Sequence, residues 1–181
     1  MIITKYKEEL IRSMDYLADD NRTIFVGQST RYKGHALYTT ILNIPLERRI
    51  EMPVVEDLQM GFCTGLALEG YIPISIFPRI DFFMCCMNQL VNHLDKFEIM
   101  TEGFHRPRQI IRTAIGSTYP LNGGYQHTQN HISGLREILT NVDVVELVEP
   151  EQIFPAFKHA LEREDSKSTI LVEWGDYYNE K

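Results

Sequence analysis

The sequence predicts an α/β fold: a parallel sheet of about six strands with helices on both faces. Three observations carry that prediction. Short apolar runs alternate with longer stretches whose apolar residues recur at helical spacing. Several of those runs are apolar nearly throughout, not at every second position, as strands covered on both faces require. No internal repeat, low-complexity tract or linker interrupts the 181 residues, so the chain reads as one domain over 1–181.

In order along the chain, the first element is a helix at 8–17, where Leu10, Ile11, Met14 and Leu17 stand at helical spacing among charges. The run Thr23-Ile-Phe-Val-Gly27 follows and reads as a buried strand ending in a loop. Further strands are expected at 49–52, 71–77, 109–115, 143–148 and 168–174. Helices are expected between them at 55–69, 81–100, 130–141 and 151–163. Asp81 precedes an apolar run and Pro150 opens the last long helix, both ordinary helix-start signals. In open parallel sheets, ligands bind beyond the carboxyl ends of the strands. The loops after Gly27, Met52, Phe77 and Ile115 should therefore share one edge.

Composition narrows the function. Hydrophobic residues at 44% and aromatic residues at 10% suffice for one sizeable core. A net charge of -7 without a long run of one sign disfavours a general binder of nucleic acid or anionic membrane. Charges at Lys5, Lys7, Glu8 and Glu9 interrupt the apolar stretch a signal peptide needs, and nothing approaches the roughly 18 apolar residues of a membrane span. Of the three cysteines, Cys85 and Cys86 are neighbours, so no disulfide framework is suggested and a reducing cytoplasm is expected. Cys63, Cys85 and Cys86 lie in apolar stretches and read as inert core residues.

The residues with chemical potential fall in the four loops. Glu56 stands at the start of a helix that packs with Leu58, Phe62 and Leu66. The helix amino terminus favours its ionised form and burial the protonated one. From spacing alone it reads as a first-turn acid complementing the helix dipole. Gly61 and Gly65, four apart, allow a close helix contact, within the chain or across a subunit boundary. His127 lies in a long loop that Gly123 and Gly124 allow to bend. His131 could share a helix face with it, but no further ligand set supports a metal pair.

Pro53-Val-Val-Glu56 followed by Gly61-Phe-Cys-Thr-Gly65-Leu-Ala resembles the signature helix of the pyrimidine-binding domain of transketolase. It is equally similar to deoxyxylulose phosphate synthase and to the beta subunits of 2-oxoacid dehydrogenases. The similarity continues through Pro73-Ile-Ser-Ile-Phe77, Asp81-Phe82, Asn88-Gln-Leu-Val-Asn92, Gly124-Tyr-Gln-His127-Thr-Gln129 and Val145-Glu-Leu-Val-Glu-Pro150. The ordered set spans nearly the whole chain.

This resemblance implies a thiamine diphosphate-binding fold of the pyrimidine type, with Glu56 hydrogen-bonding and activating the aminopyrimidine ring. It implies a flat side chain stacked on that ring. Arg79 falls near the stacking position, a departure from the family's aromatic residue, and Phe77 or Phe82 could take over. It places His127 against the reacting centre, and Gln28, Ser29, Arg31 and His35 among the polar residues that could contact a small keto substrate. Either transketolase-like ketol transfer or 2-oxoacid decarboxylation, as in the first component of a dehydrogenase, fits.

The family's second domain carries Gly-Asp-Gly and a downstream Asn, which hold magnesium and the diphosphate. The Gly175-Asp176 pair, with five residues after it, cannot be that motif. A separate partner subunit bearing the magnesium site is therefore expected, with two copies of each chain. The family's carboxyl-terminal third domain has no counterpart either, which fits a minimal split enzyme or a piece of a longer one. The alternative is an inactive interaction module that keeps the fold.

Overall fold

The computed structural model describes residues 4–180; residues 1–3 and 181, which the sequence reading includes in its domain, lie outside them. Six strands form one sheet: β1 (Thr23–Gly27), β2 (Arg49–Glu51), β3 (Ile72–Phe77), β4 (Ile110–Ile115), β5 (Val142–Glu146) and β6 (Ser168–Trp174). Every pairing is parallel and the spatial order is β2-β1-β3-β4-β6-β5. The register Val26↔Ile50 and Ile76↔Arg112 brings the carboxyl ends of β1 to β4 to one edge.

The helices are α1 (Lys5–Ala18), α2 (Glu56–Leu68), α3 (Ile80–Phe83), α4 (Phe97–Met100), α5 (Ile132–Ile138), α6 (Pro150–Glu162) and α7 (Tyr177–Glu180). One face of the sheet is covered by α1 and α6. Tyr6, Leu10, Met14 and Leu17 of α1 and Ile153 and Phe157 of α6 pack there on Phe25, Ile74, Ile76 and Leu171. Met60 of α2, the segment from Ile80 to Leu94 and Ile132 and Leu135 of α5 cover the other face, against Ile111, Ile115, Ile170 and Val172. Strand residues alternate between these two cores, which is why both phases of the period are apolar. None of the helices is long and apolar enough to cross a membrane among the described residues.

Thr4 caps α1 by accepting the Lys7 N–H, and Pro150 is the first residue of α6, as expected, within a capping box made with Glu149 and Gln152. The expected helix at 81–100 is not continuous. It divides into α3, a 3₁₀ turn at Met84–Cys86, a π-helical turn at Asn88–His93, a second 3₁₀ turn at Leu94–Lys96 and α4. The buried residues explain the change of pitch. Ile80, Phe83 and Cys86 are three apart, matching a tight turn, whereas Cys86, Leu90 and Leu94 are four apart and need a wider one to stay on the sheet. Asp81 does not open the helix; it lies inside α3, whose N-cap is Arg79. Cys63 and Cys86 are buried, and burial pushes the Cys63 thiol up to about 12, but Cys85 is exposed and not a core residue.

Candidate active site

The sheet order reverses direction between β1 and β3, since β2 lies on the far side of β1. The four loops expected to share an edge meet there and line a cavity of about 710 Å³. Gln28 and Ser29 come from the loop after β1, Pro53 and Glu56 from the β2–α2 connection, Arg79 and Phe82 from α3 and its cap, and Gly116 and Ser117 from the loop after β4. Tyr178 of α7 closes one wall.

Glu56 is the first residue of α2, and Val55 at its N-cap offers no side-chain cap to the helix. The Glu56 Oε1 accepts a hydrogen bond from Gln28 Nε2 at 3.0 Å. No hydrogen bond within the described residues engages Oε2, so a carboxyl oxygen remains available on the cavity lining.

The three candidates for a stacking contact separate cleanly. Phe77 is 1% exposed, packs edge-to-face on Phe83 at 5.0 Å and does not line the cavity. As the last residue of β3 it follows the strand's alternation into the core, so the expected ring contact is corrected to a packing role. Phe82 is 40% exposed and lies on the cavity. Arg79 also lines it and donates from Nη1 to the His127 carbonyl at 3.2 Å.

His127 is not on the lining; its ring sits behind Phe82 in an edge-on contact with centroids 5.3 Å apart. Its Nδ1 is buried with no hydrogen-bond partner among the described residues. Two carboxylates fasten this loop. Asp176 accepts from the Thr118 N–H, the Thr118 hydroxyl and the Tyr119 N–H, and Asp81 accepts from the main chain and side chain of Gln129. Gly116 lets the loop fold back, because a Cβ there would stand 1.8 Å from the His127 carbonyl oxygen.

His35 lines the cavity, but both ring nitrogens are engaged within the chain. Nε2 bonds the Gln28 carbonyl at 2.7 Å and Nδ1 accepts the Tyr38 N–H at 3.2 Å. The expected substrate contact by His35 is therefore corrected: no ring nitrogen is left over. Arg31 is exposed and away from the lining, contributing its backbone N–H to Glu51. Glu51, which sequence reasoning passed over, lines the cavity and accepts from the N–H groups of Ser29 (2.6 Å), Thr30 (2.8 Å) and Arg31 (3.0 Å). Burial opposes its ionisation, yet these donors hold its carboxyl below the usual range. Its only sequence signal was an acid at the carboxyl end of an expected strand.

A crevice at the topological reversal of a parallel sheet is the place where open α/β folds take their ligands. Residues 12–178 match the family "Transketolase, pyrimidine binding domain", and the chain belongs to that family, which is thiamine diphosphate-dependent. It is 30% identical over 98 residues to the beta subunit of acetoin:2,6-dichlorophenolindophenol oxidoreductase of Cupriavidus necator, covering 51% of this chain and 28% of that subunit. It is 28% identical over 137 residues to the mitochondrial 2-oxoisovalerate dehydrogenase subunit beta of Chaetomium thermophilum, covering 68% of this chain and 28% of that subunit. The chain thus matches under a third of the length of these curated relatives. In fold it is similar to transketolase from Campylobacter jejuni (TM-score 0.70, 11% identity, 96% of this chain and 26% of that one). It is likewise similar to a split-gene transketolase solved as an inactive beta4 tetramer (TM-score 0.62, 20% identity, 95% of this chain and 51% of that one).

Proposed function

We propose that this chain is the pyrimidine-binding subunit of a split thiamine diphosphate enzyme that makes or breaks a carbon–carbon bond next to a carbonyl. Ketol transfer and 2-oxoacid decarboxylation are the two reactions this reading admits, with residues 1–181 read as one pyrimidine-binding domain. One observation carries it: the Glu56 carboxyl lies on the cavity lining with one oxygen taken by Gln28 and the other uncommitted. That is the arrangement a ring nitrogen needs from an acid fixed on a rigid element.

The residues present fit the aminopyrimidine. A cavity of about 710 Å³ falls within the size range of small-molecule sites. Phe82 offers an aromatic surface and Arg79 a planar guanidinium, either of which can flank a flat ring. Thiamine diphosphate, when bound, supplies carbanion stabilisation. Glu56 would hold a proton at the pyrimidine nitrogen. Phe82 would exclude water from one side of the ring. His127, off the cavity lining with its ring edge-on to Phe82, would hold Phe82 in place and would not itself touch the substrate, contrary to what the resemblance implies for it.

The magnesium and the diphosphate are assigned to a separate subunit, within an assembly of two copies of each chain. Support comes from the relatives that are themselves beta subunits and from the likeness to a split-gene transketolase. The outward side of α2 also leaves Leu58 and Phe62 exposed beside Gly65, apolar surface that an assembly would cover. Arg79 is the observation in favour of an inactive interaction module, since its guanidinium is tied to the His127 carbonyl where the family carries an aromatic ring.

Calorimetry separates the two. Thiamine diphosphate with magnesium is titrated into this chain alone and into its complex with a protein carrying Gly-Asp-Gly and a downstream Asn. Heat of binding in the complex and little in the chain alone is expected. A stable complex that binds no thiamine diphosphate would overturn the enzymatic reading.

A further inference from the structure

We propose that Gln28 and His35 are positioning residues for Glu56, not substrate contacts: His35 fixes the main chain of Gln28, and the Gln28 amide fixes the Glu56 carboxyl. This rests on the reading of Glu56 as the group that meets the pyrimidine ring. Three elements are joined by it: the turn at Ala36–Thr40, the loop after β1 seven residues before its cap, and the first turn of α2.

The directions of the hydrogen bonds follow from the donors available. His35 Nδ1 accepts the Tyr38 N–H, so in the neutral ring the proton sits on Nε2, which donates to the Gln28 carbonyl at 2.7 Å. Burial holds the His35 pKa below its ordinary value, which keeps the ring neutral and both bonds in place at neutral pH. The N–H of the same Gln28–Ser29 peptide, on Ser29, and the next two N–H groups, on Thr30 and Arg31, all point at the Glu51 carboxylate. Ser29 adopts φ 52, a conformation uncommon for a residue with a side chain, and these bonds hold it there.

The Gln28–Ser29 peptide is thus held at both its carbonyl and its N–H, and the Gln28 side chain reaches Glu56 Oε1 at 3.0 Å. An amide suits the task. It donates to a carboxylate without adding charge, where a glutamate would set two anions in contact and a lysine would neutralise the acid. With Oε1 committed, rotation of the carboxyl is restrained, and Oε2 has no hydrogen-bond partner among the described residues.

Two measurements test this. In the isolated chain, NMR of the Gln28 side-chain amide protons across the acid range should show them following the ionisation of Glu56, and that response should vanish in Glu56→Gln. The same response in Glu56→Gln, or none in the native chain, overturns the inference without reference to cofactor. In the reconstituted enzyme, Gln28→Ala should lower kcat about tenfold or more with KM for the keto substrate nearly unchanged. In the Glu56→Gln background it should lower kcat no further. His35→Gln, which keeps a donor near Nε2, should retain more activity than His35→Ala, and serves alone if the alanine variant does not fold. If Glu56→Gln reduces turnover but Gln28→Ala does not, the positioning role fails and the reading of Glu56 stands. If Glu56→Gln itself leaves turnover intact, that reading fails as well.

Discussion

Arg112 on β4 and Glu173 on β6 face each other as a bidentate pair, Nε to Oε1 at 2.6 Å and Nη2 to Oε2 at 3.0 Å, with both side chains wholly buried. The pair lies on the α1/α6 side of the sheet. Arg112 Nη1 also donates to the Thr40 hydroxyl, and Glu173 accepts from the Tyr178 hydroxyl. Tyr178 lines the cavity, so the pair fixes one wall of the site from beneath. Burial opposes the charge on Arg112, but Glu173 keeps its pKa raised.

Removing one partner should therefore cost much more than removing both. Arg112→Met is expected to destabilise the fold by about 3–5 kcal/mol in urea unfolding, with the Arg112→Met/Glu173→Leu double variant recovering a large part of it. A double variant less stable than the single one would mean that the hydrogen bonds to Thr40 and Tyr178 outweigh the unpaired charge.

Glu56→Gln should leave the melting curve within about 1 kcal/mol of the native chain, since a first-turn acid contributes little more than that to a helix. Turnover of the reconstituted enzyme should fall about a hundredfold or more, the scale of losing a general acid. Steady-state assays beside thermal denaturation check both halves of the expectation.

Gly116→Ala should disturb the loop that carries His127, because the added methyl would collide with the His127 carbonyl. The expected signature is local: faster amide exchange over residues 117–129 with the sheet still protected. Unchanged exchange in that loop would show that the main chain can yield by itself.

Asp95 supplies the pH dependence. Its carboxyl is buried and accepts from the N–H groups of Thr140 (2.9 Å) and Asn141 (2.7 Å), with Lys96 alongside at 2.6 Å. Burial pushes the carboxyl up, but Lys96 and these donors together hold it below its ordinary value of 3.8. A depressed value in the folded chain means stability that is complete above the unfolded value and lost as pH falls through the folded one. Asp95→Asn should cost about 2 kcal/mol at neutral pH, and the difference from the native chain should shrink below about pH 4. A gap that stays constant into acid would assign the effect to shape and not charge.

The strands were legible because a doubly covered sheet demands apolar residues in both phases; Thr23–Gly27 and Ser168–Trp174 coincide with the runs that announce them. Ends were less so: the strand expected at 143–148 runs from Val142 to Glu146, and the helix expected at 130–141 is Ile132–Ile138. The stretch 81–100 misled because its period drifts between three and four, which composition conceals. Side-chain direction was the harder limit. Whether Phe77 meets the core or the crevice depends on strand phase, and whether His35 is free or engaged depends on a main-chain partner seven residues away. Four of the loops were placed correctly at one edge, and the residues within them were sorted only by geometry.

The crevice rim has an unusual division of labour. Glu51 and Asp176 each hold a stretch of irregular backbone by its N–H groups, and Asp81 holds Gln129 by its N–H and side-chain amide, as rivets hold a sheet of metal. Between the rivets, Tyr119, Leu121 and Tyr125 stand out in solvent with little structural duty. Of these only Leu121 lines the cavity, so selection or design could rewrite that side chain to alter what enters it while the frame beneath stayed as it is.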